Sequence, residues 1–178
     1  GGLRVYTTID WNLQQVAEKT ILERGDANEK NYKATDAAAL FVDPRNGQIL
    51  TMVGSRDYFN DAIAGKVNVT TRPRLPGSAF KPFVYAQAFL NRYSPATVIY
   101  DTPLKIGVTD NPQNYDGKYY GPMPIRKALP QSRNIPAVKA YWMAGEQTAI
   151  INLVHQMGIE GLDLNHDYGY PLAIGAGE

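Results

Sequence analysis

Two short apolar stretches, residues 37–43 and 48–53, flank Pro44-Arg45-Asn46-Gly47, and nothing else in the chain constrains its fold as strongly. Asn-Gly supplies the positive φ values of a tight turn, so the flanks predict an antiparallel hairpin. A lone hairpin is marginal in water and needs a further layer to bury one face. Helices provide that layer. Asp10 reads as an N-cap, and Trp11, Leu13, Val16, Ala17, Ile21 and Leu22 fall near helical spacing, with Gly25 placed to stop the helix after Arg24. Residues 3–9 alternate and are rich in Val, Tyr and Thr, which predicts a strand, and residues 26–35 predict a polar loop. Residues 55–74 read as an irregular connection. Phe80, Val84, Tyr85, Ala88 and Phe89 mark a buried helix over residues 78–90, after a Pro-Gly breaker. Residues 93–120, rich in Pro, Gly, Asn and Tyr, predict a long loop with at most short strands. Helices resume at 124–129, 136–143 and 146–157, with Gly145 and Gly158 as stops. Strands followed mostly by helices predict an α+β domain, a helical layer against an antiparallel sheet.

Composition enters as a set of exclusions. The 178 residues suffice for one domain with a core or a large part of one. Eighteen basic residues against seventeen acidic ones leave a net charge of +1, with no block of like charges, so nucleic acid is not an expected partner. The longest apolar runs, such as residues 37–42, fall far below the roughly 20 residues of a membrane span. No signal peptide is recognisable, and the Gly1-Gly2 start reads as a trimmed boundary. The absence of cysteine excludes disulfides, thiolate metal sites and cysteine nucleophiles. His155 and His166 have no metal-ligand spacing, and the Asn68-Val69-Thr70 sequon reads as a chance match.

Ser78-Ala79-Phe80-Lys81 carries the first chemical signal. Residues three apart on a helix share a face, so the Lys81 amine is placed to reach the Ser78 hydroxyl and take its proton. Only a neutral amine accepts a proton, so the site must depress the lysine's pKa by burial or a nearby positive charge. Ser78 also stands at a helix start, where backbone amides lack intrahelical acceptors and favour an anion. Ser132-Arg133-Asn134 lies at a tip between two helical stretches and can project polar groups into a cleft. Taken singly, these are ordinary features: a solvated lysine, an N-cap serine, a turn pair. Their ordered coexistence is what singles them out.

Ser-x-x-Lys followed by Ser-x-Asn resembles the signature of penicillin-binding proteins and serine β-lactamases. The segment from Arg74-Leu75-Pro76-Gly77 through Pro82-Phe83-Val84-Tyr85 resembles the nucleophile region of class A, bifunctional penicillin-binding proteins. So do Tyr6-Thr7-Thr8-Ile9-Asp10, Val42-Asp43-Pro44, Gly47-Gln48-Ile49-Leu50, Asn114-Tyr115-Asp116 and Ser132-Arg133-Asn134-Ile135-Pro136. The resemblance implies the family's transpeptidase fold and a D,D-transpeptidase that cross-links peptidoglycan stem peptides and is acylated by β-lactams. In that family pattern Ser78 is the nucleophile, Lys81 its general base, Ser132 a proton relay and Asn134 the holder of a substrate carbonyl. The Ser78 N–H forms half of an oxyanion hole, a contact worth roughly 3–4 kcal/mol per donor. No cofactor or metal is implied. The family's place of work is extracytoplasmic, with the full-length protein anchored in the membrane.

The family's third element, Lys-Thr-Gly or Lys-Ser-Gly on a cleft strand, does not occur; Lys19-Thr20 is followed by Ile21. Residues 173–178 resemble the family's Leu-Gly-x-x-Glu stretch, which leads into more of the domain. The expectation is therefore an N-terminal half of the transpeptidase domain spanning residues 1–178, its hairpin open at one edge, completed by a second polypeptide bearing the Lys-Thr-Gly half. The other readings are a non-catalytic penicillin-sensing or partner-binding fragment and, for want of a base for deacylation, less favourably a serine β-lactamase. Tyr115, Tyr119 and Tyr120 either line a peptide groove or pack a loop.

Overall fold

The computed structural model describes residues 2–108 and 110–177. They fall into two compact units, Gly1–Arg72 and Pro73–Glu178. No helix among the described residues is long and apolar enough to cross a membrane.

In the first unit a long helix, α1 (Trp11–Tyr32), packs on a two-stranded antiparallel hairpin of β1 (Ala39–Val42) and β2 (Ile49–Val53). Asp10 caps α1 as expected, its side chain accepting from the Leu13 N–H at 3.0 Å. Gly25 does not stop the helix. It is buried inside α1, where a Cβ would lie 2.2 Å from Cδ of Arg56, so this glycine is a seat for the Arg56 stem. The Arg56 guanidinium then pairs with Asp26 and Glu29 at 3.4 and 2.7 Å, on the segment predicted to be loop. The helix ends only at Lys33, which takes the left-handed conformation usual for a glycine C-cap.

The hairpin forms where predicted, with a different turn. Only Gly47 has positive φ, and its N–H and that of Asn46 both turn back to the Asp43 carbonyl at 2.8 and 3.3 Å. The register shifts between Phe41 and Val42, so the longer loop is absorbed by a bulge. Residues 3–9 form no strand, and Leu3, Val5 and Tyr6 are exposed. An alternating pattern needs a partner edge, and the near edge of β2 is already occupied. Gln14 of α1 accepts from the Met52 N–H and donates to the Met52 carbonyl, both at 3.0 Å, as a neighbouring strand would. Leu40, Phe41 and Val42 of β1 remain exposed. Asn68 of the sequon is a local cap, accepting from the Thr70 N–H at 3.0 Å.

The second unit is mainly helical: α2 (Lys81–Leu90), α3 (Ile125–Ala128), α4 (Asn134–Met143) and α5 (Glu146–Gln156). Val84, Tyr85 and Ala88 of α2, Ala137, Ala140 and Tyr141 of α4, and Ile150, Ile151 and Val154 of α5 form one buried core. Its alanines let the helices approach closely enough for the large side chains to interdigitate. Within the predicted loop, β3 (Val98–Asp101) pairs antiparallel with β4 (Gly121–Pro124), and Ile99 and Met123 close one side of the core. Helix α4 begins at Asn134, two residues before the expected start, because Asn114 caps it from the loop. Both units together make the expected α+β composition, and the described sheets have two strands each.

Candidate active site

Ser78 lies in a 3-10 turn, Gly77–Phe80, that leads into α2, and the Lys81 N–H donates to the Ser78 carbonyl. In a 3-10 turn residues i and i+3 eclipse one another, so the turn stacks Ser78 and Lys81 on one face more directly than an α-helix would. Pro82, in the first turn of α2, removes an N–H that had no acceptor there. The turn rests on residues near the C-terminal end of the chain. Gly77 and Gly175 both have positive φ, and a Cβ on Gly175 would stand 2.1 Å from the Gly77 carbonyl oxygen. The two backbones touch, and only glycine at 175 permits it.

Lys81 is buried, 1% exposed, and its amine is surrounded by oxygens. Nζ donates to the Ser132 carbonyl at 2.7 Å, lies 3.1 Å from Ser132 Oγ, and donates to Asn134 Oδ1 at 2.7 Å. Burial, reinforced by the charge of Arg133, lowers its pKa to about 8. Near neutrality about one amine in ten is then uncharged, against roughly one in 2,500 for an ordinary lysine. Ser78 is exposed, and its hydroxyl makes no hydrogen bond to Lys81 or to any other of the described residues. Thus three of the four predicted site residues, Lys81, Ser132 and Asn134, are in contact, while Ser78 stands one short turn away on the same segment.

The loop that carries Ser132 and Asn134 is built on a buried polar cluster. Ser132 has φ +51, an unusual conformation for a side chain with a Cβ. Arg133 between them points into the protein and is 1% exposed. Its Nε donates to Asp101 Oδ2 and Nη1 to Asp116 Oδ2, each at 2.9 Å, and Nη2 donates to the Lys118 carbonyl. The hydrogen bond from Arg133 holds the Asp116 carboxyl down to about 2. Tyr120 covers the guanidinium, its ring centre 4.5 Å away. Asn114 completes the cluster: Nδ2 donates to Asp101 Oδ1 at 2.7 Å, and Oδ1 accepts from the Asn134 and Ile135 N–H groups at 2.8 and 3.2 Å. Sequence reasoning noted Asn114, Asp116 and Arg133 only as parts of a resemblance. An arginine flanked by two site residues, with Asp and Asn upstream, is the signal that was present.

Tyr115, Tyr120, Pro122, Met123, Lys127 and Arg133 line a recess of about 590 Å³ beside this loop. Tyr115 and Tyr120 edge this recess and Tyr120 also covers the Arg133 guanidinium, while Tyr119 is not among its lining residues. His155 bonds the Leu162 carbonyl at 2.8 Å as a boundary residue, and no metal-binding group of side chains occurs among the described residues.

Comparison with known proteins identifies the family of the chain. The family model for the penicillin binding protein transpeptidase domain matches residues 37–169. Penicillin-binding protein 2D of Bacillus subtilis is 34% identical over 164 residues, covering 89% of this chain and 23% of that protein. Penicillin-binding protein 1A of Rickettsia bellii is 32% identical over 174 residues, covering 89% of this chain and 21% of that protein. The chain thus spans about a fifth of the length of these relatives. Among solved structures, penicillin-binding protein 1A from Haemophilus influenzae superposes with a TM-score of 0.69 at 29% identity, over 80% of this chain and 21% of that one. The PonA1 protein from Mycobacterium tuberculosis in complex with penicillin V gives 0.80 at 20% identity, over 98% and 47%, a likeness of fold alone. With the family model covering most of its length and the motifs in family order, the chain belongs to the penicillin-binding protein transpeptidase domain family, with relatives of the class A type.

Proposed function

We propose that this chain carries the acylation centre of a D,D-transpeptidase that cross-links peptidoglycan stem peptides. Ser78 Oγ attacks the carbonyl between the two terminal D-alanines while Lys81 Nζ accepts its proton. The C–N bond breaks, a proton reaches the departing D-alanine amine through Ser132 Oγ, and the donor peptide remains as an ester on Ser78. The amine of a neighbouring stem peptide then attacks the ester and releases the serine. Asn134 holds the substrate's amide carbonyl, and the Ser78 N–H, with no acceptor among the described residues, faces the developing oxyanion. A β-lactam stops the cycle at the ester. The observation that carries this reading is the buried Lys81 amine, held against Ser132 and Asn134 with its pKa lowered to about 8.

The same proposal makes this chain the N-terminal half of the domain, residues 1–178, working outside the cytoplasm where peptidoglycan lies and anchored in the full-length protein. A segment bearing Lys-Thr-Gly supplies the second oxyanion donor. The exposed Leu40, Phe41 and Val42 on β1 support this, since a further strand there would bury them. One observation favours a second reading, a domain that binds penicillin or a partner half without turnover: Lys81 Nζ is engaged by three oxygens and none belongs to Ser78. Apo sites often show such loose nucleophile contacts, which tighten in the complex. Fluorescent penicillin tests the acylation step both need, and release of D-alanine from a stem-peptide donor, expected only of the enzyme, decides between them. With the Lys-Thr-Gly segment supplied, wild type should be labelled and Ser78→Ala should not; an unlabelled wild type sinks the enzyme reading.

A further inference from the structure

Arg133 has no role in the chemistry above, yet it is the residue between two ligands of the Lys81 amine. Its guanidinium is fixed at each of its three nitrogens: Nε by Asp101, Nη1 by Asp116 and Nη2 by the Lys118 carbonyl, with Tyr120 across its face. Asp101 is completely buried, and Asn114 bonds both Asp101 and the first amides of α4. A group anchored at so many points cannot turn away when a neighbour titrates. The flanking residues are equally committed, Ser132 through its carbonyl and hydroxyl and Asn134 through its amide oxygen, all to Lys81 Nζ.

We propose that Arg133 is a positioning residue of this site, whose buried guanidinium seats the Ser132–Asn134 loop on Lys81 and adds a fixed positive charge that disfavours the ammonium form of the amine. The proposal rests on the reading of Lys81 as the general base. The titratable groups on the elements around Lys81 are Tyr85 on its own helix, Tyr100 and Asp101 on β3, and Asp116 in the loop. Lys139 and Tyr141 lie on α4, Glu146 and His155 on α5, and Tyr170 in the last 3-10 turn. Of these and Arg133, only the Arg133 charge bears on the amine, in the same direction as burial. The carboxylates of Asp101 and Asp116 are each bound by the guanidinium, Asp101 also by Asn114 and the Tyr120 N–H. This makes the ion pairs a means of burying a cation beside an amine.

The test is the titration of Lys81 followed by NMR in protein labelled with carbon-13 at the lysine Cε, the resonance being assigned by its loss in Lys81→Arg. The wild-type midpoint should lie near 8. In Arg133→Gln it should rise by about one pH unit or more, since a positive charge is lost and two carboxylates are left uncompensated. In Arg133→Lys, which keeps the charge but not the forked geometry, it should stay near the wild-type value. In Asp116→Asn it should fall or hold. An unmoved midpoint in Arg133→Gln overturns the proposal, as does an equal rise in Arg133→Lys or a rise in Asp116→Asn. Should Arg133→Gln not fold, the other two variants still decide. Penicillin labelling of the same samples is read separately, so loss of the acyl-enzyme reading leaves the titration result standing on its own.

Discussion

Asn114→Ala is the substitution that most sharply tests how the site loop is held. The Asn114 side chain is buried and makes four hydrogen bonds, to Asp101 Oδ1 at 2.7 Å, the Lys118 carbonyl at 2.9 Å, and the Asn134 and Ile135 amides at 2.8 and 3.2 Å. Alanine leaves the two α4 amides without an acceptor and removes one donor from a buried carboxylate. An unmatched buried polar group costs about 1–3 kcal/mol, and the three share one site, so their costs do not add fully. A loss of about 3–5 kcal/mol is expected, against about 1 kcal/mol for an ordinary helix cap. Urea unfolding of the chain in a Trp11→Phe background, followed by the fluorescence of Trp142 on α4, reads it directly. Amide exchange at Asn134 and Ile135 should accelerate in parallel. A loss below about 1 kcal/mol with unchanged exchange refutes the claim that Asn114 holds the start of α4.

Two further outcomes follow from single buried positions. Gly175→Ala should lower stability by at least about 2 kcal/mol, from positive φ and contact with the Gly77 carbonyl, and should slow Ser78 acylation beyond what the lost folded fraction explains; calorimetry with labelling rates checks both. Tyr85→Phe should be neutral or stabilising by up to about 1 kcal/mol, because the Tyr85 hydroxyl is buried without a hydrogen-bond partner among the described residues. Thermal unfolding checks that sign.

What was readable from sequence is what short-range physics decides. The hairpin around Asn46-Gly47, the Pro-Gly break before the helix that carries Lys81 and the Gly145 and Gly158 stops all depend on residues within one turn of one another. The Ser-x-x-Lys and Ser-x-Asn pieces were visible for the same reason, each being local. Gly25 misled because its function is tertiary, a gap for the Arg56 stem thirty-one positions away. Residues 3–9 misled because alternation reports a preference for pairing, and the near edge of β2 is taken by the Gln14 side chain. The Asp101, Asn114 and Arg133 cluster was missed for a related reason: the end of β3, the loop after it and the residue before α4 meet in one buried site only through the fold. The need for a depressed lysine pKa was deducible from the chemistry alone; that Arg133 contributes to it required the fold.

The central claim is that Lys81 is a buried amine whose lowered pKa lets it serve Ser78 as a base. Burial lowers its pKa from the ordinary 10.5 to about 8, so the folded state releases this proton before the unfolded chain does. Stability attributable to this group therefore rises between about pH 8 and 10.5, and below 8 the buried cation is a cost. Reactivity follows the same midpoint. The most direct measurement is the pH dependence of the Ser78 acylation rate by a labelled penicillin, with the Lys-Thr-Gly segment supplied and the adduct located by peptide mass. The rate should rise about tenfold from pH 7 to 9 and level off above, as the neutral fraction passes from about one-tenth to nine-tenths. A rate that climbs about a hundredfold over that range with no plateau, or one that ignores pH, contradicts the account.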